Sequence, residues 1–418
     1  MRLCVMGLGY IGLPTAVMFA KHGVQVHGVD VNEKVVNMLN NKELHIEEPG
    51  LPEMLAEVID AGQFTVSTKP EKADAFIIAV PTPVNPDGSA NVDYVRSATE
   101  MILPYIEKGN LVILESTVPP KTVENVMIPI LEKSGLVIGE ELYISHSPER
   151  VLPGKLFEEL VSNDRIVGGI NEKSSELTIQ LYKRFVKGTI HKTDATTAEM
   201  VKLMENTYRD INIAFANELA RIAEKLNFDV WEAIELANYH PRVNIHKPGP
   251  GVGGHCIAVD PYFIIEKAPE QSKLITLARS INSNTPKTVV KTIQNIVKEI
   301  EEPKIAVLGL AFKGNIDDMR ESPSLEIIEE LKKAGFKLSI HDPHVKADVE
   351  GKVDTVEEAA KDADLLVILT DHSAYKDLDF AAIKKVMKSP IVYDTRNLLD
   401  QEKVEQAGLH YLKIGSKL

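Results

Sequence analysis

The sequence predicts an α/β protein: two Rossmann-like, doubly wound domains joined by a long central helix and a small helical domain suited to dimerisation. Three observations predict it. A strand, a glycine-rich turn, a helix and a second strand open the chain, the same grammar returns after residue 303, and a long amphipathic pattern lies between them. At 418 residues the chain also exceeds what one hydrophobic core serves, and roughly 150 residues per domain gives about three domains. The expected division is 1–193, 194–288 and 289–418.

In the opening segment, residues 3–6 are an apolar run, Gly7-x-Gly9-x-x-Gly12 follows, a helical stretch reaches residue 21, and a second strand over 24–29 ends at Asp30. The first glycine permits the tight turn, the second lets backbone approach a pyrophosphate, and the third lets helix and strand pack closely. The helix N-terminus supplies amides to the phosphates. A carboxylate at Asp30 accepts from ribose hydroxyls and would repel the extra phosphate of NADP, so NAD is the expected cofactor. Lys34 either assists the adenosine ribose or is a solvated first-turn lysine.

Apolar runs at 75–80, 111–114 and 142–144 read as later strands of the same parallel sheet. Its carboxyl edge should carry Pro81-Thr82-Pro83, Ser116-Thr117 and Ser147-Pro148-Glu149. Near the C-terminus, Lys304-Ile305-Ala306-Val307-Leu308-Gly309-Leu310 echoes Arg2-Leu3-Cys4-Val5-Met6-Gly7-Leu8, and the strand ending at Asp342 matches the one ending at Asp30. Between the halves, a helical pattern over 194–226 places Met200, Met204, Ile211, Phe215, Leu219 and Ile222 on one stripe, which should bridge the two halves. Lys202, Asn206 and Arg209 fall on the opposite face, placed either to line a cleft or simply to meet solvent.

Composition narrows the partners. A formal charge of -14 argues against nucleic acid or an anionic membrane, both of which need a cationic face. No apolar run reaches the ~20 residues of a membrane span. The apolar start holds three glycines and a proline and reads as folded structure rather than a leader. Two cysteines, Cys4 and Cys256, form no disulfide framework or metal-binding pair, which suits a reducing cytoplasm; no metal is expected.

The second chemical constellation is Pro248-Gly249-Pro250-Gly251-Val252-Gly253-Gly254-His255-Cys256, with Asp260 shortly after. Such a loop reads as backbone bent closely around a ligand, presenting a thiol at its end. An inert thiol is the competing reading for Cys256. For Cys4, on the first strand, burial in the core is the expectation.

These runs resemble the UDP-glucose/GDP-mannose dehydrogenases over the whole chain: GLGYIGLP at the start, STVPPKT, SPER, Lys202-Leu203-x-x-Asn206, the GPGVGGHC loop with Asp260, and Phe312-Lys313 through Asp317-Asp318-x-Arg320-x-Ser322-Pro323. Within the family, His240-Pro241-Arg242-Val243-Asn244 and the cysteine loop most resemble the branch that oxidises UDP-N-acetyl-D-mannosamine. The resemblance implies a four-electron oxidation of a sugar C6 alcohol to an acid, reducing two NAD and consuming one water. Lys202 and Asn206, with a water near Asp260, would stabilise the alkoxide and later oxyanion. Cys256 would attack the aldehyde, and oxidation of the thiohemiacetal would leave a thioester. Glu149 would act as base for its hydrolysis, with Thr117 positioning the water.

The resemblance also implies cofactor contacts from Gly7, Gly9, Tyr10, Ile11, Gly12, Asp30, Lys34, Thr82, Thr117 and Arg320. Substrate contacts would come from Arg150, Val151, Lys202, Asn206, Arg209, His240, Gly253, Phe312, Lys313 and Arg396. Arg242 would reach a neighbouring subunit, so a homodimer or larger assembly is expected. One departure stands out: glucose-oxidising relatives carry a second glutamate shortly after Ser-x-Pro-Glu, where this chain has Arg150-Val151-Leu152-Pro153-Gly154. That disfavours UDP-glucose and favours a 2-acetamido sugar touched by Arg150 and Val151, with UDP-N-acetylglucosamine or UDP-glucose oxidation by the same mechanism the alternative. A sensor that binds NAD without chemistry gives no reason for Cys256, Lys202, Asn206 and Asp260 together.

Overall fold

The computed structural model describes residues 1–85, 87–151, 154–254 and 256–416. Leu152, Pro153 and His255 of the motifs above therefore lie outside the described residues. The chain forms two compact units, Met1–Glu205 with Tyr262–Pro269, and Asn206–Pro261 with Glu270–Leu418.

Among the described residues, the first unit holds a sheet of β1 (Arg2–Met6), β2 (Gln25–Val29), β3 (Phe64–Ser67), β4 (Ala75–Ile78), β5 (Leu111–Leu114), β6 (Tyr143–His146), β7 (Arg165–Gly169) and β8 (Ile190–Asp194), in the order β3-β2-β1-β4-β5-β6-β7-β8. Strand alternation sorts its residues into two layers. Leu3 and Val5 pack with Leu13, Val17 and Phe19 on one face, while Cys4 and Met6 pack with Val95, Ile102 and Met127 on the other. The sheet is therefore covered on both sides, as continuous apolar strands require.

β1 to β6 pair in parallel, as expected, but β7 joins β6 antiparallel and β8 then follows β7 in parallel. The sequence does not advertise this extension. β7 reads Arg-Ile-Val-Gly-Gly and β8 reads Ile-His-Lys-Thr-Asp, too polar and too glycine-rich to pass for buried strands. Gly168 is needed there, because a Cβ would meet the Asp194 carbonyl at 2.2 Å.

The second unit repeats the plan with β9 (Lys304–Leu308), β10 (Lys337–His341), β11 (Leu365–Ile368), β12 (Ile391–Asp394) and β13 (His410–Lys413), all parallel, in the order β10-β9-β11-β12-β13. Its first three positions, β10-β9-β11, reproduce β2-β1-β4. Ile305 and Val307 enter one core layer and Ala306 and Leu308 the other.

The helix Ala195–Leu226 matches the expected span closely, but its expected apolar stripe is only partly buried, with Met200, Ile211 and Leu219 half-buried. Of the anticipated bridging stripe, Met204, Phe215 and Ile222 remain 57%, 46% and 41% exposed. The buried side instead carries Asn206, Thr207, Asp210 and Asn217 among the small Ala214, Ala216, Ala220 and Ala223. The physical reason is that each of Asn206, Asp210 and Asn217 has an internal hydrogen-bonding partner, although one carboxylate oxygen of Asp210 makes no hydrogen bond.

Candidate active site

At the head of the first sheet, the three glycines of the opening turn differ in what they need. A Cβ on Gly7, whose φ is 90°, would meet the Ala79 carbonyl at 2.5 Å, and one on Gly12 would meet the Gly7 carbonyl at 1.9 Å. A Cβ on Gly9 would meet nothing within 4 Å. Packing explains Gly7 and Gly12, whereas the space beside Gly9 is open to a group approaching from outside the chain. The helix Gly12–Lys21 has no side-chain cap and no acidic residue in its first turn, leaving its amides and positive end for an anion. Asp30, half-buried after β2, accepts from Leu8 N at 3.1 Å and Asn32 N at 2.9 Å. Tyr10 and Lys34 are exposed beside this turn and Ile11 is half-buried. A dinucleotide pyrophosphate and ribose fit these donors and this carboxylate.

Farther along the same edge, Thr82 Oγ1 donates to the Thr117 carbonyl at 2.6 Å, tying the ends of β4 and β5. The Thr117 loop is clasped from the long helix: Glu199 accepts from Lys121 N at 2.5 Å and Val123 N at 2.8 Å, with Lys121 at φ 68°. Glu149, just past β6, is buried and paired to Arg165 at 2.8 Å; its other oxygen accepts from Arg150 N at 2.7 Å. The Arg150 guanidinium is engaged by Glu205 at 2.6 Å and by the Asp164 carbonyl, and Val151 packs against the neighbouring core. Lys202 is half-buried and close enough to buried His146 to help hold that imidazole neutral, its pKa lowered to about 3 by burial first and then by Lys202 and Arg165.

In the second unit, Cys256 is exposed, whereas Cys4 in the other unit is fully buried and burial pushes its thiol up to about 12. Asn206 Nδ2 donates to Asp260 Oδ2 at 2.5 Å, and Arg209 donates to Asn206 Oδ1. Both ends of the cysteine loop are tied to one buried polar chain. Asn217 Oδ1 accepts from Gly249 N at 2.9 Å and its amide donates to Asn282 at 3.1 Å. Asn282 donates to Asp210 at 2.8 Å; Asp210 pairs with Arg279 at 3.3 Å; Arg279 donates to the Ala258 carbonyl at 3.0 Å.

Close packing within the unit also requires glycine at three positions of this loop. A Cβ on Gly253 would meet the Glu321 carbonyl and Phe312 at 2.6 Å, one on Gly254 would meet the Phe312 ring at 2.8 Å, and one on Gly251 would meet Pro323 at 2.7 Å. Gly251 and Gly254 also hold φ of 146° and 81°.

Sequence models of one family match this chain in three consecutive parts: its NAD binding domain over residues 1–186, its central domain over 196–284 and its UDP binding domain over 306–401. The chain belongs to the UDP-glucose/GDP-mannose dehydrogenase family. Among relatives, a UDP-N-acetyl-D-mannosamine dehydrogenase of Methanococcus maripaludis is 49% identical, covering 99% of this chain and 97% of the relative. Two solved structures are similar throughout. The UDP-N-acetyl-mannosamine dehydrogenase of Staphylococcus aureus has a TM-score of 0.90 at 48% identity, covering 99% of both chains. The corresponding Pyrococcus horikoshii enzyme has a TM-score of 0.93 at 43% identity, also covering 99% of both.

In this nucleotide-sugar dehydrogenase the remaining expected ligands are dispersed over the second unit. His240 and Arg242 sit in an exposed turn, where Arg242 N donates to His240 Nδ1 at 3.4 Å. Lys313 is exposed and Phe312 half-buried; Arg320 is exposed and forked onto Asp318 at 2.7 Å. Arg396 donates to the carbonyls of Leu369 at 2.9 Å and Phe312 at 3.4 Å. Sequence reasoning missed Glu115, Arg165 and Tyr182 around Glu149, and Asp210, Asn217, Arg279 and Asn282 beneath the cysteine loop. Only Asp210 left a trace, one helical turn beyond Asn206.

Proposed function

We propose that this chain oxidises the C6 alcohol of UDP-N-acetyl-D-mannosamine to the carboxylate through a thioester on Cys256. The observation that carries this reading is the anchored thiol: an exposed Cys256 on a loop tied at both ends to buried polar groups, with Asp260 fixed to Asn206. The Gly9 turn and Asp30 would hold NAD, which when bound would supply the acceptor of two electrons for each of two oxidations. The residues of the chain do the rest. Lys202 and the Asn206 amide stabilise negative charge on the substrate oxygen, and Asp260 orients that amide. Cys256 attacks the aldehyde carbon and so retains the reactive intermediate. Thr117 positions a water and Glu149 takes its proton, after which the thiol leaves and the acid is released.

Arg150 and Val151 face the acetamido substituent, and Arg209, His240, Lys313 and Arg396 hold the sugar nucleotide; Gly253 and Phe312 shape its seat, and Arg320 serves the cofactor. For Arg150 this requires exchanging Glu205 for substrate. We assign 1–193 to the cofactor, 194–288 to the catalytic helix and cysteine loop, and 289–418 to UDP. The exposed Tyr208, Phe215 and Ile222 on one helix supply an apolar face for a second copy, and Arg242 reaches its site. No helix among the described residues is long and apolar enough to cross a membrane, and a thiol nucleophile calls for a reducing compartment such as the cytoplasm.

Incubating the protein with NAD and each of UDP-N-acetylmannosamine, UDP-N-acetylglucosamine and UDP-glucose tests the reading. Two NADH per UDP-N-acetylmannosamine, with little turnover of the others, is expected. Preferred turnover of UDP-glucose removes the sugar assignment, and NAD binding with no turnover of any sugar nucleotide removes the activity.

A further inference from the structure

Glu115 follows β5 directly, its side chain is wholly buried, and the chemistry above gives it no task. It shares a guanidinium with the proposed base. Arg165 Nη1 donates to Glu149 Oε2 at 2.8 Å and Nη2 to Glu115 Oε1 at 2.7 Å, while Nε donates to Ser147 Oγ at 2.9 Å. The guanidinium lies 3.8 Å over the Tyr182 ring, and the Tyr182 hydroxyl donates to Glu115 Oε1. The buried Thr15 hydroxyl lies beside the Glu115 carboxyl and favours its charged form.

A pair made only for stability would need one carboxylate. A second one buried on the same cation adds a desolvation cost and a like-charge repulsion. The groups facing this cluster are accounted for: Ser147 and neutral His146 from β6 and its end, Thr15 from the helix Gly12–Lys21, Tyr182 from the helix Glu172–Tyr182, and Lys202 through His146. Only one cation therefore touches two carboxylates. Burial pushes the Glu115 carboxyl up, Arg165 pulls it back, and the charge of Glu149 adds to the rise.

We infer that Glu115 and Arg165 are positioning residues for Glu149: Glu115 shares the one guanidinium, so that Glu149 is turned towards the hydrolytic water without holding that cation alone. Held by Arg165 alone, Glu149 would be fixed as an ion-paired carboxylate with little drive to take the proton of that water. The shared guanidinium fixes its direction while Glu115 withdraws part of the pull. The inference rests on the reading of Glu149 as base.

Single-turnover hydrolysis of the Cys256 thioester, followed by mass spectrometry of the quenched protein across pH, tests it in the intact enzyme. In the unaltered protein the acid limb should titrate in two overlapping steps, because coupled carboxylates share protons. In Glu115→Gln the thioester should hydrolyse about threefold to tenfold more slowly at neutral pH, with the acid limb displaced downward by about half a pH unit. The first NADH and the KM for sugar nucleotide should not change, and Glu115→Asp should return the acid limb towards its original position. A merely structural pair would move none of these selectively. A folded Glu115→Gln protein with unaltered hydrolysis and pH profile overturns the inference; should that variant not fold, a single-step acid limb in the unaltered protein does so. If Glu149→Gln hydrolyses the thioester at the original rate, the base reading itself fails and takes the inference with it.

Discussion

The Asn206 side-chain amide donates to the Asp260 carboxylate at 2.5 Å, joining the long helix to the residue that closes the cysteine loop. Both groups are nearly inaccessible, so the contact is unscreened and its direction is fixed: the amide proton of Asn206 points at Asp260, and its oxygen is taken by Arg209. Replacing Asp260 by Asn removes the charge and lets the two amides meet in the wrong sense. We expect turnover to fall about a hundredfold with little change in KM for sugar nucleotide, as loss of a preorganised group does. Steady-state kinetics on a variant of unchanged fold checks this.

The glycines of the opening turn separate stability from cofactor binding. Gly9→Ala should leave the unfolding midpoint within the effect of about 0.5 kcal/mol usual for a surface change, yet weaken NAD binding at least about tenfold. Gly12→Ala drives its Cβ into the Gly7 carbonyl and should lose both. Equal loss of stability in the two variants, measured by thermal unfolding beside NAD titration, would contradict the assignment of Gly9 to the ligand.

Arg279 holds the carbonyls after Cys256 to Asp210. Burial pushes the Asp210 carboxyl up while Arg279 and Asn282 pull it back. Arg279→Met leaves that carboxylate without its cation and should destabilise the protein by about 3–5 kcal/mol. Adding Asp210→Leu should recover much of the stability but not the turnover, since the loop remains untied. Calorimetry and kinetics on the single and double variants distinguish these effects.

Glu199 gives a pH prediction. Burial raises its carboxyl to about 7 from 4.5, against the pull of the Val123 and Lys121 amides. Between those values the folded chain holds a proton the unfolded chain has lost, so this group favours folding at the acid end and its contribution declines as pH rises. The decline amounts to about 3 kcal/mol over that window. Denaturant unfolding at pH 5, 6 and 7 should show a flatter profile in Glu199→Gln; an identical slope would refute the linkage.

Much of this was legible in the sequence because regular periods and glycines at turns are local signals. The β1 turn, the Asp30 position, the helix over 195–226 and the second nucleotide-binding half all followed from residues close together in the chain. β7 and β8 did not, because their strand character depends on pairing with β6 rather than on composition. The polar buried side of the helix was not legible for a related reason: Asn206, Asp210 and Asn217 become good interior residues only when Asp260, Asn282 and Gly249 meet them. The cysteine-loop glycines were recognised as unusual, but their cause, the close approach of Phe312 and Glu321, lies about sixty residues away in sequence. Glu115 and Arg165 gave no signal, since each looks like a surface charge until they meet.

Asp342 follows β10 as Asp30 follows β2 and accepts from the corresponding amides, yet it is more deeply enclosed. It is buried, accepts from the amides of Leu310, His344 and Val345 and from His372, and these contacts hold its carboxyl far below the usual range although burial opposes them. A carboxylate left half-buried at the turn of one half is a keystone in the other, sealed into the masonry of its own fold. Two halves built on one plan are thereby not interchangeable: the second has the outline of the same doorway with its latch built into the wall.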